Sequence, residues 1–282
     1  MRKRISFISV LTMFLAIGFV IIFSRPVKAA ANGVILKANR TYAAYDVTGD
    51  GMKDKIRIRA SNQTDDEAYS SLTVSVNGKT AYRLKNTRFY NVIANIYTLK
   101  NGQPFLYLYA PAENGDGPVC ALLKYTNGKF RKALDFTEIM AGYGNHRIGE
   151  VTNLNGNKIV ITESIVSYSL GINAINFTYK YVNGKFVPTS RYGSYKEIYS
   201  ADGSSRYFTV NSDLPAYTRP GATAVNTTLK TGSLTKIIKC ALINGKMYIQ
   251  LECDGEIYWI KALENPPIAD NERQFMEVRY AG

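Results

Sequence analysis

The sequence predicts an all-β protein, and three features carry that expectation. Tyrosine, phenylalanine and tryptophan number 21, 12 and 1 among 282 residues, and aromatic rings favour pleated, half-buried strands. The punctuation is Asn-Gly and Asp-Gly: Asp50-Gly51, Asn77-Gly78, Asn101-Gly102, Asn127-Gly128, Asn155-Gly156, Asn183-Gly184 and Asn244-Gly245. Both members of such pairs tolerate the positive φ of tight hairpin turns, and apolar–polar alternation flanks most of them. The third feature is the near absence of helical periodicity beyond the N-terminal segment. With 46% hydrophobic and 20% charged residues, the chain is neither disordered nor a polytopic membrane protein.

In chain order, the first element reads as a signal peptide over residues 1–29. Met1-Arg2-Lys3-Arg4 is a basic start, Ile5 to Phe23 carries no charge, and Val27-Lys28-Ala29-Ala30 supplies the small residues for cleavage after Ala29. An uncleaved anchor is the rival, since the 19 uncharged residues nearly span a hydrocarbon core of about 30 Å. Cleavage removes five cations and no acid, lowering the net charge from +13 to +8. A basic secreted chain is expected to meet anionic envelope polymers or acidic glycans, not nucleic acid. Plain solubility explains the charge equally well, because no cationic run is long enough to form a dedicated patch.

Residues 33–190 are expected to form a β-repeat domain. Asp50, Asn101 and Asn155 lie 51 and 54 residues apart, while Asn77, Asn127 and Asn183 lie 50 and 56 apart. The flanks repeat too: Lys55-Ile56-Arg57-Ile58, Phe105-Leu106-Tyr107-Leu108 and Ile159-Val160-Ile161 follow the first turns. Three antiparallel, blade-like units from Tyr42 to Thr189 result. Three are too few for an ordinary closed propeller, so an incomplete, propeller-like array is expected. Residues 191–206 read as a polar linker. Residues 207–282 then form a small β-barrel with a C-terminal extension, in which Phe275 to Tyr280 alternates like a further strand. In the hairpin at Asn244-Gly245, Ile243 pairs with Lys246 and Cys240 with Ile249. That places Cys253 beyond disulfide reach of Cys240 and predicts buried free thiols.

The sharpest chemical motif is Asp46-Val47-Thr48-Gly49-Asp50-Gly51-Met52-Lys53-Asp54. Oxygen ligands at positions 1, 3, 5 and 9, with the Met52 carbonyl at position 7, suit a structural calcium ion. Arg57 stands where an EF-hand has its bidentate glutamate. The segment resembles the calcium loops of integrin-type FG-GAP and VCBS repeats, and the resemblance implies Ca²⁺ held by Asp46, Thr48, Asp50, Met52 and Asp54. Tyr97 and Phe105, then Val151 and Ile159, replace positions 1 and 9 in the next two units, so at most one site survives. Asx turns to backbone amides are the simpler use of the same acids.

Near the C-terminus, Tyr207-Phe208-Thr209-Val210, the Pro/Gly-rich stretch to Ala222, Leu229-Lys230-Thr231-Gly232, the hairpin and Gly255…Tyr258-Trp259-Ile260 follow in order. This order resembles bacterial SH3-like domains, several of which bind cell-wall peptides or glycans. Tyr217, Tyr248, Tyr258 and Trp259 are the candidate ligand-binding residues, with core packing the alternative for each.

One histidine and three cysteines exclude multi-histidine metal sites and a four-cysteine zinc site. A Cys120–His146 pair is the most conventional nucleophile option, but Cys120 opens a strand pattern and His146 sits in a loop-like stretch. The expected function is therefore a non-catalytic, secreted cell-envelope binding protein with a cell-wall polymer or peptide partner. A secreted carbohydrate-active hydrolase using paired carboxylates and a purely structural surface protein are the alternatives.

Overall fold

The computed structural model describes residues 33–63, 67–200 and 203–280. The expected signal peptide lies outside the described residues. Within them the chain is all-β, with no helix beyond three short 3₁₀ turns, and no helix is long and apolar enough to cross a membrane.

Strands β1 (Gly33–Leu36), β2 (Thr41–Tyr45), β3 (Asp54–Gln63), β4 (Tyr69–Val76) and β5 (Lys79–Phe89) come first. β2-β3-β4-β5 form an up-and-down sheet. β6 (Ile93–Thr98), β7 (Pro104–Ala110), β8 (Val119–Thr126) and β9 (Lys129–Asp135) form a second. β1 leaves the first group and pairs antiparallel with β6, Leu36 opposite Ala94. β10 (Gly144–Asn155), β11 (Lys158–Ser167), β12 (Gly171–Val182), β13 (Lys185–Pro188), β14 (Tyr192–Ser200), β15 (Gly203–Ser204) and β16 (Tyr207–Thr209) follow. Then come β17 (Leu214–Ala216), β18 (Thr227–Leu229), β19 (Leu234–Ile243), β20 (Lys246–Cys253) and β21 (Glu256–Lys261). The largest sheet runs β10-β11-β12-β14-β19-β20-β21 and curls into a half-barrel.

Local chemistry explains the hairpins. Asn77, Asn127 and Asn183 have φ of 49°, 50° and 49°, and the glycines after them 79°, 78° and 88°. Two successive left-handed residues make the turn whose twist matches its flanking strands, and Asn-Gly is the pair that enters it most cheaply.

Strand alternation then builds layers. Ile56, Ile58, Leu72 and Val74 of the first sheet pack with Ile96, Leu106, Leu108, Ala121 and Leu123 of the second. The other face of the second sheet, with Tyr97, Phe105, Tyr107, Cys120 and Leu122, packs with Ile159, Ile161, Ile175 and Phe177 of the third. The second sheet is buried on both faces, which is why its strands read as continuous apolar runs such as Phe105-Leu106-Tyr107-Leu108.

Two segments differ from the sequence expectation. Residues 191–206 were expected as a linker, yet β14 lies there and pairs with both β12 and β19. Its Tyr195 and Ile198 are buried, so its alternation, masked by serines and glycines, is that of a core strand. Phe275 to Tyr280 forms no strand; it closes the core through isolated bridges, Val210 to Phe275 and Ser200 to Val278. The terminal hairpin keeps the predicted register, with Ile243 opposite Lys246 and Cys240 opposite Ile249. Cys253 faces Thr235 instead, and Cys120, Cys240 and Cys253 are free and buried.

Candidate functional site

The acidic loop joins β2 to β3 and is closed by its own amides. Asp46 accepts from Gly49 N at 2.6 Å and Gly51 N at 2.8 Å, and Asp50 accepts from Met52 N at 2.8 Å. Desolvation opposes it, but these amides and those nearby hold Asp46 below the usual carboxylate range. Asp54 is buried, and its Oδ2 accepts from Val47 N at 2.7 Å and Thr48 N at 2.9 Å. Its Oδ1 accepts from Asn77 Nδ2 at 2.5 Å and from Thr48 Oγ1 at 3.3 Å. Three N–H donors thus reach that carboxylate, and the single Thr48 hydroxyl proton is shared between it and Asp46 Oδ1, also 3.3 Å away. A cation in the loop would compete with these donors for the Asp54 carboxylate. Met52 is exposed at the tip.

The four aromatic candidates divide between the two faces of the terminal sheet. Tyr258 pairs with Leu251 and leans on the main core. Trp259, one residue on, pairs with Gln250 and joins Tyr217, Tyr248 and Ala241 in a small cluster on the opposite face. Tyr217 and Trp259 exchange backbone hydrogen bonds, 2.8 and 2.9 Å. All three rings of this cluster are buried, Trp259 with only 4% of its surface exposed.

What covers them is a set of residues the sequence reading passed over. Tyr192 of β14 sits opposite Ala241, whose lack of bulk lets the ring cross toward Trp259, 5.9 Å between centroids. Lys239 Nζ lies 4.6 Å from the Tyr192 ring and 5.9 Å from that of Trp259. Lys261 Nζ lies 5.2 Å above Tyr217, and the Arg191 guanidinium 5.4 Å from Tyr192. Tyr192 remains 37% exposed. The result is a ledge of rings in tilted contact, 36° between the Tyr192 and Trp259 planes, edged by cations, with Tyr192 as its accessible ring. The missed signal was period two: Tyr192 shares a face with Ser194, and Lys239 with Ala241.

Elsewhere, the conventional nucleophile option has an unreactive thiol. Cys120 lies in β8, donates to the Gly149 carbonyl at 3.4 Å and is buried. Burial pushes its thiol up to about 12, so it stays protonated at neutral pH. His146 belongs to strand β10, not to a loop, and its side chain lies outside the described residues. The same region holds one unexpected group, Glu163 of β11. It is fully buried, and neither carboxyl oxygen has a hydrogen-bond partner among the described residues. Burial pushes its carboxyl well above the ordinary range; Arg147 opposes the shift and Asp135 adds to it. Gly149 has no side chain because Phe136 and the Glu163 carboxyl occupy that space.

No family model, curated protein or solved structure matches the chain.

Proposed function

We propose that the chain is a secreted, non-catalytic cell-envelope binding protein that engages a cell-wall peptide or glycan through the ledge around Tyr192. The observation that carries this reading is the tilted contact of Tyr192 with Trp259, with Lys239 over both rings. An exposed ring with a rigid support offers an apolar face to a sugar or peptide plane at small entropic cost, and the adjoining cations suit its carboxylates. The N-terminal basic–apolar–small pattern supports export. The three four-stranded meanders, spaced as their turns are spaced, support a reading as blades of an open propeller-like array. The β19–β20–β21 meander with Tyr217 bridged to Trp259 supports an SH3-like terminal unit. The acidic loop lies outside the ledge, so this reading holds with or without a structural calcium ion there.

The test is retention of the full exported chain on cell walls, intact and stripped of anionic polymers. Tyr192→Ala is expected to weaken retention on stripped walls several-fold while leaving the melting temperature nearly unchanged, because the ring is partly exposed. Undiminished retention would remove the ledge from the function.

A further inference from the structure

The first sheet has an outer face that belongs to no core. β3 presents Lys55, Arg57 and Arg59 to solvent, and β5 presents Arg83 and Lys85; all five are exposed. Ser71, Thr73 and Ser75 of β4 lie between them, half-buried. Register fixes this arrangement: Arg57 stands opposite Ser75 and Arg59 opposite Thr73, while Thr73 and Ser71 stand opposite Arg83 and Lys85. The alternate residues face the core shared with the second sheet. Two rows of cations thus flank a strip of hydroxyls. The rows are two strand spacings apart, about 10 Å, and successive cations within a row repeat at about 6.8 Å.

Strands β2 to β5 contain one acid, the buried Asp54. Glu67 stands in the β3–β4 connection, and Asp65 and Asp66 lie outside the described residues. None of the five cations has an ion pair among the described residues; Arg83 donates only to Thr80 Oγ1, at 3.4 Å. The end layer of a stack needs a polar outer face for solubility. Mixed charges serve that purpose without self-repulsion, so five charges of one sign with no ion pair among the described residues ask for a further cause. Large exposed apolar side chains are absent from these strands, which removes the anchors that membrane docking uses.

We infer that this face is a docking track for a linear phosphodiester polymer of the cell envelope, lying along β4 between the two cation rows. This rests on the envelope reading above. Guanidinium forks at Arg57, Arg59 and Arg83 match phosphate oxygens in pairs, and the serine and threonine hydroxyls donate to those left over. A trough about 10 Å wide takes a single flexible chain.

The probe is fluorescent poly(glycerol phosphate), titrated with the full chain at several salt concentrations. Arg59→Gln/Arg83→Gln is expected to bind about tenfold more weakly, with a shallower salt dependence, since fewer counterions are released. Lys158→Gln/Lys180→Gln removes the same charge from an exposed pair on the third sheet, away from both surfaces, and is expected to change binding less than about twofold. Both variants replace exposed or edge cations, and an unchanged melting curve verifies folding. Equal losses in the two variants, or undiminished binding by the arginine variant, would overturn the inference. So would equally tight capture of anionic lipid vesicles or single-stranded nucleic acid. Retention on stripped walls reports the ledge alone, so the two readings fail separately.

Discussion

Asp54 shows how one carboxylate organises a whole loop. Its oxygens tie Val47 and Thr48 to Asn77, itself 23 residues further along the chain than Asp54. Asp54→Ala leaves buried donors without partners and is expected to cost about 2 kcal/mol or more in urea unfolding. With amides closing the loop, the loss is the same in calcium and in chelator; stabilisation by calcium that the variant abolishes would restore the cation reading. Glu163 is the opposite case, a buried carboxyl without a donor among the described residues. Its folded-state pKa is raised, so between the unfolded value of about 4.3 and the folded value the native state holds a proton that the unfolded chain releases. Stability from this group is full below about pH 4.3 and falls as pH rises toward the folded pKa, by about 1.4 kcal/mol per unit at most. Glu163→Gln is expected to flatten that decline; an identical pH profile in both proteins would show that Glu163 is not its source.

At the scale of elements, turns and strands obey different levels of the structure. The Asn-Gly hairpins need only two residues that accept positive φ, so they are legible in the sequence, and so is the cysteine register beside Asn244-Gly245. β14 is different. Tyr192, Tyr195 and Ile198 are separated by small or polar residues that mimic a linker, and its pairing with β12 and β19 is long-range. Gly193 marks how tightly it is held: a Cβ there would stand 2.5 Å from the Phe177 ring and 2.7 Å from Ile175. Gly193→Ala is therefore expected to overpack this seam and cost about 2 kcal/mol, read as a lowered urea midpoint. A neutral substitution would mean that β14 is loosely seated.

Across the whole molecule, one core runs from Tyr97 of the second sheet to Val278 near the C-terminus. Residues 207–282, read from the sequence as a small barrel behind a polar linker, share that core and lose β14 when cut away. Expressed in isolation they are expected to show no cooperative thermal transition, while the full chain melts as one unit. A sharp melt of the fragment would restore an independent terminal domain.

What the amino-acid sequence by itself determined is the all-β class, the hairpin positions and the alternation within each strand. These rest on backbone preferences and on the two-residue period, both local. Which faces meet, and which stay open, was decided only in three dimensions. Lys55, Arg57, Arg59, Arg83 and Lys85 make no basic run, yet register across β4 gathers them on one acid-free face. Tyr192 reaches Trp259 across 67 residues because Ala241 leaves room between them. Glu163 stands in the core-facing phase of β11, in step with Ile159, Ile161 and Ile165, and only the packed structure shows that its carboxyl is buried there with them. Pairings such as β1 with β6 and β14 with β19 join strands distant in the chain, and no periodicity within a strand specifies its partner.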